Sequence, residues 1–390
     1  MDKYNDVDVT VYEAGDFISF MSCGMQLYLE NKVTAEDDVR NFAPEDVEKK
    51  GGHVYANHEV TAIHPEHKTV TVKDLTNNSE EDVNNPAIKN VAIVDAGYIG
   101  TEASEVFAKA GKHVTLMDMI DRPLGTYLNP ELLDVLEPTF KKNMDLKMGV
   151  KIEGFNGNEK VESVKTDQGD VPADLVVVSA GVTPNTDWLK GTVDLDQRGW
   201  IKTDPYLRTN VKDVYAIGDA ILPLSIPVGK PMPIALATTT RREAQYVVDH
   251  IFEDKPDRVF KGVIGASALS VFDYHFATAG LNKFSAPKNK LDYQTSFYED
   301  HMRPAYVPEA DNPKVYVSLT FNPYTHQILG GAVLSKYDIT AQGNVLALAI
   351  SHKMRLEDLA EQDFFFQPGF NRQWSLLNLA AQYALGMARF

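Results

Sequence analysis

The chain has 390 residues, of which 44% are hydrophobic, and a net charge of −17. The acidic balance argues against a nucleic-acid or anionic-membrane partner, since both need a basic footprint. The length is too great for one core and points to two or three domains. No run approaches the roughly 18 apolar residues of a transmembrane helix, and Met1–Asp6 carries no signal-peptide pattern. A cytoplasmic protein is therefore expected. A lone cysteine, Cys23, fits a reducing compartment. It excludes an internal disulfide and a multi-thiolate metal site, so no metal is expected.

Asp8–Glu13 reads as a strand ending on an acid. In a dinucleotide-binding fold such an acid bonds a ribose hydroxyl, and a glycine turn lies about 20 residues upstream. Here that turn would precede Met1. Cys23 follows, between Ser22 and Gly24, small neighbours that leave the sulfur approachable. It is either a redox thiol cycling alone to sulfenic acid or a small buried hydrophobe. His53–Ile63 and Thr69–Asp74 alternate like the strands of a small hairpin. His53, His58, His64 and His67 have no metal spacing on a common face. Asn77–Pro86 is acidic and linker-like.

Lys89–Val94 is an apolar strand running into a turn. A helix over Glu102–Ala110, Gly111 as its cap and a second strand, His113–Asp118, follow. Strand, turn, helix, strand and acid in this order form a βαβ dinucleotide unit, with Gly97 and Gly100 as its second and third glycines. The first glycine is replaced by Asp95, which puts a negative charge beside a pyrophosphate. Asp118 accepts ribose hydroxyls and repels a 2′-phosphate, so NADH is favoured over NADPH.

Asp174–Val178 reads as a buried parallel strand, and Asp213–Asp219 as another ending on an acid. A helix opens near Ile234–Thr240 on small residues, its free N–H groups available to an electron-rich ring. Beyond about residue 262, strand-like runs at 268–274, 314–321 and 328–335 lead to a helical tail. Asp363–Pro368 is an aromatic run suited to core or subunit interface, with interface preferred.

Gly15–Leu29, together with Phe107–Lys112, Asp121–Gly125, Pro184–Gly191 and Phe364–Pro368, resembles the NADH peroxidase and NADH oxidase group of the pyridine nucleotide–disulfide oxidoreductase superfamily. The resemblance spans nearly the whole chain and is nearest on the peroxidase side. It implies an α/β fold: two Rossmann-like dinucleotide-binding domains (FAD and NAD) plus an α+β C-terminal dimerisation domain. The boundaries are 1–84 and 201–262 for the two parts of the FAD domain, 85–200 for the NAD domain and 263–390 for the dimerisation domain.

The implied cofactors are FAD and NADH, the substrate hydrogen peroxide, and the assembly a homodimer or homotetramer. Cys23 would be the peroxidatic thiol, with Arg241 near the peroxide pocket and Glu102 near the nicotinamide. Glu13 and Asp219 would bind FAD, and Ala235, Leu236, Ala237, Thr238 and Gly265 would line the flavin. Ile99, Asp118, Tyr127 and Gly181 would contact NADH, with Tyr98 stacked over the flavin as a gate. The family's glycine-rich FAD loop with its active-site His, and a strand expected near Val83–Asn84, have no counterpart here. A water-forming NADH oxidase and a non-catalytic flavoprotein relative are the alternatives.

Overall fold

Four short apolar runs between residues 90 and 178 pair into one parallel sheet, and the two loops that follow its central strands meet at one edge. The computed structural model describes residues 9–18, 27, 32–33, 43–64, 66–67, 69–76, 88–158 and 160–387. Contacts divide the chain into two units. The first comprises 1–86, 182–222 and 240–260, the second 87–181, 223–239 and 261–390.

The first unit begins with β1 (Thr10–Tyr12), α1 (Pro44–Glu48) and β2 (His53–Tyr55), the two strands pairing in parallel. β3 (His58–His64) and β4 (Thr69–Asp74) form an antiparallel pair. The expected single strand over His53–Ile63 is thus two. Asn57, at φ 57°, turns the chain between them, which Asn tolerates better than most residues. The linker-like stretch 77–86 lies outside the described residues. Farther along, Leu189, Val193, Ile201, Leu207, Ile221 and Tyr246 form this unit's apolar cluster.

The second unit contains β5 (Asn90–Val94), α2 (Tyr98–Lys109), β6 (His113–Asp118), α3 (Pro130–Asn143) and β7 (Asp145–Met148). An antiparallel trio follows: β8 (Ile152–Asn156), β9 (Ser163–Thr166) and β10 (Gly169–Pro172). β11 (Leu175–Val178) then returns to the parallel sheet, whose order is β11-β5-β6-β7. Val91, Ala92 and Ile93 are buried, as expected of a strand covered on both faces. The helix begins at Tyr98, a turn earlier than expected, because Gly97 stands at its N-cap in extended geometry. β11 departs from the buried-strand reading. It is the edge strand of the sheet, and Val178 is 58% exposed.

Asp213–Asp219 also departs. It forms no strand but a single bridge, Arg208 to Tyr215, ahead of a 3₁₀ turn at Gly218–Ala220. Its backbone is satisfied locally instead: the Thr209 N–H donates to the Val214 carbonyl and the Ala216 N–H to that of Leu207. Past β12 (Leu224–Ser225) and β13 (Lys230–Pro231), α4 spans Ala237–His250.

The C-terminal half of the second unit is an antiparallel sheet. It runs through β14 (Ser267–Val271), β15 (Tyr274–Gly280), α5 (Ser285–Lys288), β16 (Gln294–His301), β17 (Lys314–Phe321) and β18 (Ile328–Ser335), in the order β14-β15-β18-β17-β16. The single run foreseen at 268–274 breaks into a hairpin at Phe272, φ 54°. Helices α6 (Ala341–Ser351), α7 (Leu356–Glu361) and α8 (Leu376–Ala384) close the core, in which Leu346, Leu359 and Leu377 pack on Val317 and Val333. In the aromatic run, Phe364 packs partly against this core while Phe365 is 74% exposed. The run as a whole is therefore not core.

Candidate active site

The carboxyl ends of β5 and β6 and the start of α2 make a tight turn. Gly100 is required there by close approach: a Cβ on it would lie 1.8 Å from the Asp95 carbonyl oxygen. Helix and strand can pack this closely only without a side chain, the role of the third glycine in such turns. Asp95 holds the first position in left-handed geometry, φ 85°, a conformation Asp adopts more readily than most residues. Its Oδ2 accepts the Gly97 N–H at 3.2 Å.

Across the turn, Asp118 accepts the Ala96 N–H at 2.8 Å and the Ile120 N–H at 3.1 Å. Burial raises the Asp95 carboxyl above its ordinary value; the Gly97 N–H opposes this, and the neighbouring Asp118 adds to it. Tyr127 stacks on Tyr98 with centroids 4.1 Å apart, and the Tyr98 hydroxyl lies 2.7 Å from Ser267 Oγ. Both phenols are raised by burial. Ile99 is exposed at the helix start. Ser179 donates to the Val94 carbonyl at 3.0 Å, fixing the end of β11 beside β5, with Gly181 following at φ 89°.

Thus Gly97, Ile99, Gly100, Asp118, Tyr127 and Gly181, expected to contact the nicotinamide cofactor, gather at the carboxyl end of one sheet, and Tyr98, expected as a gate over the flavin, is stacked on Tyr127 beside them. Glu102, one turn along α2, is half-buried, its carboxyl raised by burial and by Glu105. Gly265 stands against Ile234, the residue before the expected flavin-lining run Ala235–Thr238. Ala235, Ala237 and Thr238 are exposed and Leu236 is half-buried.

In the first unit, Glu13 bends back so that Oε1 accepts the Gly15 N–H at 2.7 Å. Asp219 is exposed in a turn that is braced from behind. Gly218 takes φ 72°, with Thr240 atoms 3.1 Å from any added Cβ, and its N–H donates to Glu243 Oε2 at 2.7 Å. Glu243 is fully buried, and among the described residues nothing hydrogen-bonds its Oε1. Burial raises this carboxyl. Arg241 is exposed on α4. Among the described residues, no hydrogen bond or ion pair joins Glu13, Asp219 and Arg241 to one another. Cys23 lies outside the described residues. Neither the Asp95–Asp118 pair nor the Glu243 brace was foreseen; the latter joins residues 25 positions apart, beyond any local pattern.

These residues fit dinucleotides. A glycine cradle at a strand-to-helix turn suits one, and an exposed carboxylate on a braced glycine turn suits the hydroxylated chain of another. Among the described residues, no group of His, Cys, Asp and Glu could hold a metal, and no helix is long and apolar enough to cross a membrane.

Parallel sheet, glycine turn and antiparallel C-terminal layer together define a dinucleotide-dependent oxidoreductase architecture. The model of the pyridine nucleotide-disulphide oxidoreductase family matches residues 78–244, and that of its dimerisation domain matches 266–376. An NADH oxidase of Enterococcus faecalis is 36% identical over 98% of this chain and 95% of its own. A water-forming NADH oxidase from Lactobacillus brevis, solved with NADH bound, superposes with a TM-score of 0.92 at 33% identity, over 99% of this chain and 94% of that one. An engineered NADPH-bound mutant of that oxidase matches equally well. The chain belongs to the pyridine nucleotide-disulphide oxidoreductase family, a flavoprotein family whose cofactor is FAD. The Enterococcus alignment runs to 426 positions, more than this chain's length, so that relative carries internal residues without counterparts here.

Proposed function

We propose that the chain is an FAD-dependent NADH oxidase that reduces oxygen to water. The observation that carries this reading is the nucleotide turn, Gly97–Gly100 with Asp118, in a chain similar over nearly its whole length to NADH oxidases. Gly97 and Gly100 admit the cofactor backbone, and the exposed Ile99 and Tyr127 offer apolar faces to its rings. Asp118 accepts ribose hydroxyls. Asp219, on its braced turn, holds the flavin's hydroxylated chain, and Ala235–Thr238 leave room for the ring. Bound FAD supplies the two-electron relay between NADH and the acceptor.

Cys23 completes the reduction. Its thiolate attacks a peroxide O–O bond, forming Cys–SOH and releasing hydroxide, which leaves as water on protonation. Two electrons and two protons then return the sulfenic acid to thiol with loss of a second water. Arg241, as a cation, would stabilise the departing hydroxide. Hydrogen peroxide as the primary acceptor is the second reading, favoured by the residues that follow Cys23, from Met25 to Glu30. A C-terminal homo-oligomer is in keeping with the matched dimerisation domain. The four stretches 1–84, 85–200, 201–262 and 263–390 remain the proposed functional domains.

The test is NADH and oxygen stoichiometry on the flavin-loaded protein. Two NADH per oxygen without accumulated peroxide supports the oxidase. Turnover with peroxide under argon and none with oxygen supports the second reading. Cys23→Ser is expected to convert water formation into peroxide release; unchanged stoichiometry rules out the thiol step.

A further inference from the structure

The first backbone donors of a dinucleotide turn are ordinarily free to receive a phosphate. In this chain they are taken. Ala96 donates to Asp118 and Gly97 to Asp95, at 2.8 Å and 3.2 Å. The Asp95 side chain therefore sits over the same N–H group that an incoming pyrophosphate needs. Burial raises the Asp95 carboxyl, and the neighbouring Asp118 charge adds to the effect.

From this geometry we propose that Asp95 makes nucleotide binding proton-linked: the pyrophosphate docks when the Asp95 carboxyl holds a proton and is repelled when it is ionised. The inference rests on the nucleotide reading of this turn. The titratable groups facing Asp95 are Asp118 from β6 and the Tyr127 hydroxyl, which lies 3.5 Å from the position of a Cβ on Gly97. Tyr98, at the start of α2, stacks behind Tyr127. Glu102 and Glu105 add negative charge farther along the helix. Among the described residues, no cation pairs with Asp95 or Asp118. Ionisation of Asp95 is thus opposed by its neighbours, with only the Gly97 N–H favouring it. A dinucleotide adds further negative charge and so takes up a proton as it binds.

The experiment is titration calorimetry of the purified protein with ADP-ribose, which is redox-inert, and with NADH, from about pH 5.5 to about pH 8.5. Wild type, Asp95→Gly and Asp95→Asn are compared. Glycine restores the residue suited to positive φ, and asparagine keeps a neutral acceptor for the Gly97 N–H. Wild-type affinity is expected to fall with rising pH, by at most about tenfold per unit for one linked proton. Repeating the titration in buffers of different ionisation enthalpy is expected to show proton uptake. Both variants are expected to bind with a flat profile, Asp95→Gly most tightly at the alkaline end. Parallel profiles for wild type and Asp95→Gly overturn the proton linkage while leaving the nucleotide site standing. Absence of binding by all three proteins at every pH overturns both.

Discussion

Glu105 and Phe272 are tied directly. Buried within α2, the Glu105 carboxylate accepts the Phe272 N–H at 2.7 Å through Oε2, while Oε1 pairs with Lys109 at 2.5 Å. The helix that opens at the nucleotide turn is thereby fastened to the hairpin of β14 and β15. Phe272 is at positive φ, where its N–H points away from the ladder and needs another acceptor. Glu105→Ala is expected to leave that donor unsatisfied and to cost about 2–4 kcal/mol in denaturant unfolding. Glu105→Gln keeps the acceptor and loses only the ion pair, so its expected cost is about 1 kcal/mol. Equal losses would show that the hydrogen bond is not what matters.

Gly100→Ala tests the close approach in the turn. The new Cβ would meet backbone, the Asp95 carbonyl, at 1.8 Å, and backbone cannot swing aside as a flexible side chain can. The expected loss is about 2–3 kcal/mol, together with weakened NADH binding as α2 moves off β5. Gly111→Ala is the control. Nothing lies within 4 Å of its Cβ, and only its φ of 75° is strained, so about 1 kcal/mol is expected with NADH affinity intact.

Asp118 is expected to set nucleotide preference. Its two backbone hydrogen bonds hold the carboxylate at the turn, the position from which the proposed reading has it accept ribose hydroxyls and repel a 2′-phosphate. Met119 beside it is 71% exposed, so an arginine there costs little packing. The engineered NADPH-bound oxidase carries an Asp replaced by Ala and, directly after it, an Ala replaced by Arg, the same exchange of charge. Asp118→Ala with Met119→Arg is expected to move the ratio of NADPH to NADH kcat/KM upward by about a hundredfold, roughly 2.7 kcal/mol of discrimination. An unchanged ratio would take Asp118 out of ribose recognition.

The nucleotide turn was legible because it is local. Strand, glycines, helix and acid fall within Asn90–Asp118, and each is favoured by its own residues: branched apolars in β5, glycine at the N-cap, Gly111 after the helix. The pairings that failed to show are long-range. Whether His53–Tyr55 joins β1 or a hairpin depends on chain far away. The buried Asn129 amide donates to Ser318 Oγ at 2.6 Å, 189 positions away, beyond any local pattern. Asp213–Asp219 has the composition of a strand, yet a strand needs a neighbour, and its backbone groups find the preceding loop instead. Asp95 was legible as a departure from the glycine pattern, but its hold on Gly97 and its closeness to Asp118 required the folded turn.

Glu243 carries the remaining prediction. It is fully buried, it accepts the Gly218 N–H through one oxygen, and among the described residues its other oxygen has no hydrogen-bond partner. Burial raises its carboxyl above the ordinary glutamate range, with Asp219 adding to the effect and the Gly218 N–H and Arg242 opposing it. An acid raised on folding stabilises the native state fully below its unfolded pKa, and that contribution is lost as pH rises through the folded value. Glu243→Gln keeps an oxygen for Gly218 but cannot ionise. The variant is expected to match wild type near pH 4.5 and to be the more stable protein above it, the gap widening until the native carboxyl is ionised and then staying constant. Glu243→Leu removes the acceptor as well, leaves the half-buried Gly218 N–H without it, and is expected to be about 1–3 kcal/mol less stable than Glu243→Gln at every pH. Because the same N–H braces the turn presenting Asp219, the leucine variant is also expected to lose flavin on gel filtration, with the glutamine variant retaining it. Urea unfolding across pH and the flavin-to-protein absorbance ratio read the two effects separately. A wild type that gains stability relative to Glu243→Gln as pH rises would mean that the buried carboxylate is favoured in its charged form.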